Sequence, residues 1–479
     1  MKRLLPLSLA MFLATPALAQ TLAVTGAKVI PVEGAPLEQG TVLIRDGRIV
    51  EIGADVKVPY DATVIDAGGK VVFPGMVLAH TVAGLDRANE SLPVTPFLDV
   101  YDGINPASVV YQELLREGVT SIHVIQANDT TIGGVGRVVR PMGLTVEAMT
   151  LRAPSGLKIS VSGRSGWDRI RQRAQLREAF AELEDYLDQL AEERYAAEQK
   201  KQGKEDEPVD PAKAREAGKA LIGADDVDFE HRNLYLLTRG RLDAYVYCEG
   251  ATDVPYAVSM ATELGFLERT TFVLGGEAFK AADVLAASKR PVVLPAELIY
   301  REQDPESGEE RETFVAKAFA DAHVPFALSI SSRNSFAERY LWYQAARCVA
   351  YGVDRDQALR AITLTPAEAI GVAEQVGSLA PGKLGNLVVL SGDPLDATTQ
   401  IEQVVIRGRL VYERTKDYEL RKLLEGELTG ATKASEAAHP HPIEDERDPE
   451  ADDTPVETPA PKPDQPAPEQ PQDDQDGHE

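Results

Sequence analysis

Positive charge, cysteine, histidine and long apolar runs are all in short supply in this chain. Fifty Lys and Arg face 76 Asp and Glu, a formal charge of −26. A surface of that sign repels nucleic acid and anionic membranes, so neither is expected as a partner. No internal apolar run reaches the roughly 18 residues that a membrane-spanning helix needs. The one sustained run, residues 4–13, follows Lys2 and Arg3 and leads to Ala17-Leu18-Ala19. A basic start, a short apolar stretch and a small-x-small ending read as a cleavable export signal over residues 1–19. The mature protein is therefore expected in the periplasm or outside the cell. With only Cys248 and Cys348, no disulfide framework can staple the fold. An oxidising compartment permits one bridge, but separate core positions are the expectation for two cysteines so far apart.

What the sequence does have is apolar content and texture. Hydrophobic residues make up 43% of it, ample for a sizeable core, and its length favours more than one structural unit. Residues 20–75 are short β-runs, two of them separated by Asp46-Gly47, a strong hairpin signal. From 76 to 375, apolar runs near 121–125, 157–161, 244–247, 271–274, 291–294 and 325–330 alternate with helix-like stretches. That alternation implies an α/β fold of parallel units, and right-handed crossovers favour closure into a (β/α)8 TIM-type barrel. Residues 167–215 read as a charged insert, a solvated outer helix followed by a loop around Pro208 and Pro211. The β texture returns over 376–415, where it is expected to complete a small composite β-sandwich with the first β-runs. Residues 416–479 form an extension. From Ala431 onward it carries 15 acidic against 3 basic residues with many prolines, too little apolar surface to order itself.

Several motifs, in order, resemble those of the amidohydrolase superfamily. Thr41-Val42-Leu43-Ile44-Arg45-Asp46-Gly47-Arg48-Ile49 is similar to its opening hairpin. Val72-Phe73-Pro74-Gly75 resembles the approach to its first barrel strand. Gly377-Ser378-Leu379-Ala380-Pro381-Gly382-Lys383 through Val389 resembles its return segment, with Asn386 where Asp is usual. Glu117-Gly118-Val119-Thr120-Ser121, Ile132-Gly133-Gly134-Val135-Gly136 and Thr365-Pro366-Ala367 resemble the imidazolonepropionase-like branch. The resemblance covers about residues 21–412. It implies a hydrolase of non-peptide C–N bonds with one or two divalent metals at the barrel mouth, where metal lowers the pKa of bound water and polarises the scissile carbonyl.

The ligand positions that the resemblance implies are mostly filled by other residues. A His-x-His pair should end the first strand, and here His80 is followed by Thr81 and Val82. The fifth-strand histidine falls near Tyr247, the sixth near Gly275 and the eighth-strand aspartate near Ser331, so His80 alone is retained. A catalytic zinc normally takes three protein ligands. No metal or other cofactor is therefore expected from the residues, although the family would imply zinc. Lys158, on a strand, superficially matches the family's bridging lysine. His123 reads as a satisfied strand histidine and His231 and His323 as surface residues. His439 and His441 lie in the acidic tail.

His80, Tyr247, Glu249, Asp253, Ser331 and Arg333 are the candidates for a cavity at the strand ends, where barrel proteins place their chemistry. Ile132 to Gly136 reads as a loop whose glycines admit close backbone approach. Three functions follow as expectations: a C–N hydrolase by lineage, a degenerate member keeping the cavity for a small-molecule ligand, or a partner subunit of an active homologue. Homo- and hetero-oligomers are both compatible with the last.

Overall fold

The computed structural model describes residues 21–204, 210–331 and 339–425. The expected export signal, Pro208, Arg333 and the acidic tail with His439 and His441 lie outside the described residues. Up to Asp417 the chain forms one compact unit; the described part of a second is the helix Tyr418–Glu425.

Twenty strands can be followed among the described residues. The first five are β1 (Thr21–Val29), β2 (Leu37–Arg45), β3 (Arg48–Gly53), β4 (Thr63–Asp66) and β5 (Val71–Pro74). Next come β6 (Met76–Thr81), β7 (Val119–Val124), β8 (Ile132–Val135), β9 (Arg137–Val139), β10 (Thr150–Arg152) and β11 (Leu157–Ser160). After the insert follow β12 (Ala244–Cys248), β13 (Thr270–Leu274), β14 (Val292–Val293), β15 (Ile299–Gln303), β16 (Glu310–Phe314) and β17 (Phe326–Ala327). The last three are β18 (Leu387–Leu390), β19 (Ile401–Ile406) and β20 (Arg409–Glu413).

Strands from both ends of the unit share one eight-stranded sheet, in the order β20-β19-β18-β5-β1-β2-β3, with β4 beside β1. The sequence suggested a sandwich; the pairings run through a single sheet. Asp46 and Gly47 turn between β2 and β3 with φ of 52° and 78°. Two successive residues at positive φ are what a tight hairpin requires, and Asp-Gly supplies them at low steric cost. The return segment is stitched to this hairpin. Ile49 N–H donates to the Lys383 carbonyl at 2.9 Å, Gly382 N–H to Ile49 at 2.8 Å and Gly385 N–H to Gly47 at 2.9 Å.

The middle of the chain is the α/β part. β6 pairs parallel with β7, while β11, β12, β13, β14 and β17 form a consecutive parallel run. Between β7 and β11 lies the segment 132–139, which pairs antiparallel with both. The Gly133-Gly134 motif is therefore buried strand rather than the loop expected from its glycines. Its small residues suit close contact, because a side chain at Gly134 would meet the Leu98 carbonyl at 2.6 Å. At the other side, Leu328 N–H donates to Ala361 and Val77 N–H to Ile362, both at 2.9 Å. Ala361 and Ile362 thus lie between Leu328, just after β17, and Val77 of β6.

Alternation along these strands sorts side chains onto two faces. Val77, Ala79, Val138, Tyr245, Val273, Val293 and Ala327 join one buried cluster. Their sequence neighbours Leu78, Val139, Val246, Phe272, Val292 and Phe326 join a larger cluster shared with the helices. The insert helix Arg169–Lys201 is not wholly solvated as expected. Leu176, Phe180, Leu183, Leu187 and Leu190 are buried along one side, at helical spacing. Cys248 and Cys348 are both buried and unbridged, each in the larger cluster.

Candidate functional site: a cavity at the strand ends

The strand alternation of β11 decides where Lys158 goes. Leu157 and Ile159 face the helix-packed core, so Lys158 is turned to the opposite side of the sheet. Its side chain is completely buried. Nζ donates to Asn128 Oδ1 at 2.7 Å and lies 2.9 Å from His80 Nε2. The Tyr247 ring centroid is 5.6 Å away, a cation–π distance. An ammonium carries three protons, and the third has no partner among the described residues.

Electrostatics agree with this pairing. Burial pushes Lys158 down to about 7. Burial, and then the charge of Lys158, hold His80 well below its ordinary range. A neutral imidazole has one nitrogen without a proton, so Nε2 accepts from Lys158.

A cavity of about 740 Å³ opens beside His80, with Lys158 behind the wall and not among its lining residues. His80, Asn128, Tyr247 and Glu249 line one side of it. Gly275, Glu277, Tyr300, Arg301 and Ser329 line others. Tyr300 and Arg301 sit on β15, which pairs with β16 as a two-stranded arm. Tyr247 O–H donates to the Glu249 carboxylate. Burial, reinforced by the Asp253 charge, raises the Glu249 carboxyl above its usual range.

Of the residues anticipated from sequence, His80, Tyr247 and Glu249 meet in this cavity. Asp253 does not. It is 1% exposed and held by Ser162 Oγ at 2.8 Å, Arg169 at 3.0 Å and Arg173 at 2.9 Å. A carboxylate so fully partnered pins the insert helix to the strand ends. Ser331 lies just past the lining residues Ser329 and Ile330, and is not itself one of them. His123 is the satisfied strand histidine expected, with Nδ1 2.7 Å from the Ala79 carbonyl and Nε2 2.8 Å from Ser155 Oγ. His231 is bound to Asp228 at 2.8 Å and stacked on Tyr186. Asn128, Glu277, Tyr300, Arg301 and Ser329 were not anticipated, because loops and the arm bring them in without a periodic signal. Among the described residues, no three His, Cys, Asp or Glu side chains gather as a metal-binding group.

The sequence profile of the Amidohydrolase family matches residues 347–412. An imidazolonepropionase of Symbiobacterium thermophilum is 26% identical over 435 residues, covering 80% of this chain and 92% of that protein. A solved amidohydrolase from Thermotoga maritima superposes with a TM-score of 0.65 at 27% identity, over 82% of this chain and all of that one. The chain belongs to the amidohydrolase superfamily. Amidohydrolase tasK of Hapsidospora irregularis is 24% identical over 404 residues, and there the match spans 78% of this chain but only 40% of the relative. Within the superfamily the chain is imidazolonepropionase-like. No helix among the described residues is long and apolar enough to cross a membrane.

Proposed function

We propose that this amidohydrolase-superfamily protein is an exported small-molecule-binding protein whose cavity works through Lys158 instead of a metal. In this reading the two middle sheets are one (β/α)8 barrel closed through residues 361–362, and the shared sheet is its composite β-domain. The observation that carries it is the engagement of His80 Nε2 by Lys158 Nζ at 2.9 Å. The one imidazole at an inherited ligand position thereby spends its lone pair on an ammonium.

The neighbouring positions fit a metal no better. Tyr247 gives its proton to Glu249, and Val82 offers no donor atom. A side chain at Gly275 would strike the Glu249 carbonyl at 2.3 Å, so a histidine cannot enter there without backbone movement. These residues do not fit a catalytic zinc. Lys158 instead holds His80 and Asn128 on the cavity wall, where the Asn128 amide and Arg301 suit an acceptor such as a carbonyl oxygen, while Glu249 and Glu277 suit N–H donors. A small nitrogenous molecule with a carbonyl group meets both demands, and it is the ligand class that the lineage would hand down.

The test is metal content of the purified full chain, with zinc and manganese supplied, beside a thermal-shift screen of amides, imides and cyclic ureas. Substoichiometric metal unchanged in His80→Ala, with stabilisation by a ligand that Lys158→Met no longer binds, supports the proposal. Stoichiometric metal lost in His80→Ala would overturn it in favour of metal-dependent hydrolysis.

A further inference from the structure

A second cavity, of about 220 Å³, shares no lining residue with the first. Asp46 and Gly47 of the β2–β3 turn line it, with Arg140 and Met142 after β9 and Ile406, Arg407 and Arg409 around the β19–β20 turn. Three guanidinium groups thus meet one carboxylate, in a chain whose overall charge is −26. In so acidic a protein a local excess of positive charge is not an average outcome of composition. Nor is it neutralised internally. No ion pair joins Arg140, Arg407 or Arg409 to any described residue, whereas the arginines elsewhere on the surface commonly have one.

Arg140 is the best-defined member. It is only partly exposed, and Nη2 donates to the Ala148 carbonyl at 2.5 Å, which fixes the guanidinium plane. Its buried Nε has no hydrogen-bond partner among the described residues. Burial and then the nearby Arg407 charge hold Arg140 below its ordinary range, so the two cations face each other closely enough to repel. Like charges brought together with a donor left over are relieved by one kind of occupant, an anion with several acceptor oxygens. Arg407 is held in place by the turn itself, since its backbone N–H donates to Asn386 Oδ1 at 2.9 Å.

We infer that the pocket framed by Arg140, Arg407 and Arg409 is a binding site for a small oxyanion of the phosphate type, free or as the phosphate of a small metabolite. A tetrahedral oxyanion is small enough for the volume and can take forked donation from two guanidiniums at once. The site is independent of the barrel cavity and of any chemistry there.

Calorimetric titration of inorganic phosphate into the full chain, at constant ionic strength balanced with chloride, tests this. One saturable site is expected, roughly tenfold weaker in Arg407→Gln and in Arg140→Gln, each loss being that of a charge-assisted hydrogen bond. Lys289→Gln, which removes an equal charge outside the pocket, should leave it unchanged. Arg407→Gln is exposed, so it keeps the test open if Arg140→Gln misfolds. The absence of a saturable site, or one that both pocket variants retain, overturns the inference.

Discussion

Lys158 shows how one residue carries both a cost and a function. A buried amine is desolvated, and its folded-state pKa falls to about 7 from an ordinary 10.5. Between those values the unfolded chain binds more protons than the folded one, so the stability contributed by this group rises with pH across that window. Below pH 7 both states are protonated and the penalty is full. Urea unfolding of wild type and Lys158→Met across pH 6–10 should therefore give stability differences that shift in the wild type's favour as pH rises, by a few kcal/mol at most. A pH-independent difference would show that the lysine is solvated. On the cavity wall, Tyr247 O–H donates to Glu249, whose carboxyl is raised by burial.

At the scale of elements, the insert helix Arg169–Lys201 is decided by a few polar contacts among many surface charges. Gln172 is completely buried, and its Nε2 donates to the carbonyls of Thr130 and Ser160, both at 2.9 Å. Its Oε1 accepts from Thr131 Oγ1 at 3.2 Å. Gln172→Leu fits the volume but strands these groups, and should cost roughly 2–4 kcal/mol in chemical denaturation. Gln175→Leu, three residues along and only half-buried, with its side-chain amide donating to Glu178 at 2.8 Å, should cost far less. The Asp253 contacts with Arg169 and Arg173 act with Gln172, joining the helix start to the ends of β11 and β12.

For the whole molecule, the join between the two ends of the compact unit matters most. Glu33 accepts from Lys383 Nζ at 2.8 Å and from Ser378 Oγ, across 350 and 345 positions of sequence. Those contacts hold the Glu33 carboxyl below its ordinary 4.5, the Lys383 hydrogen bond contributing most. A carboxylate with a lowered folded pKa stabilises fully above its unfolded value and loses that contribution as pH falls through the folded one. Glu33→Gln should therefore lower thermal stability by a constant, small amount at neutral pH, and the gap to wild type should close in acid below about 4.5. The amount is small because the Glu33 side chain is 45% exposed and well screened. A gap that persists unchanged into strong acid would mean that Glu33 acts by packing alone.

Strand alternation, the Asp46-Gly47 turn and the order of motifs are local properties, and local sterics and periodicity suffice to read them. They carried the α/β class, the superfamily and the positions of His80, Tyr247 and Glu249. Other features depended on contacts between residues far apart in sequence. The Gly133-Gly134 segment became a strand because two partners bracket it, although its composition reads as a loop. Asp253 opens the helix Asp253–Glu263 after β12, and Arg169 and Arg173 reach it from the insert and keep it out of the cavity. In sequence Lys158 is only a strand lysine with a superficial match to the family's bridging lysine. Its burial, and the approach of His80 and Asn128 from β6 and the loop after β7, exist only once neighbouring strands are in register. Charge and hydrophobicity can be summed along a chain, whereas desolvation and partnering are set by three-dimensional neighbours, and those decide what this cavity can bind.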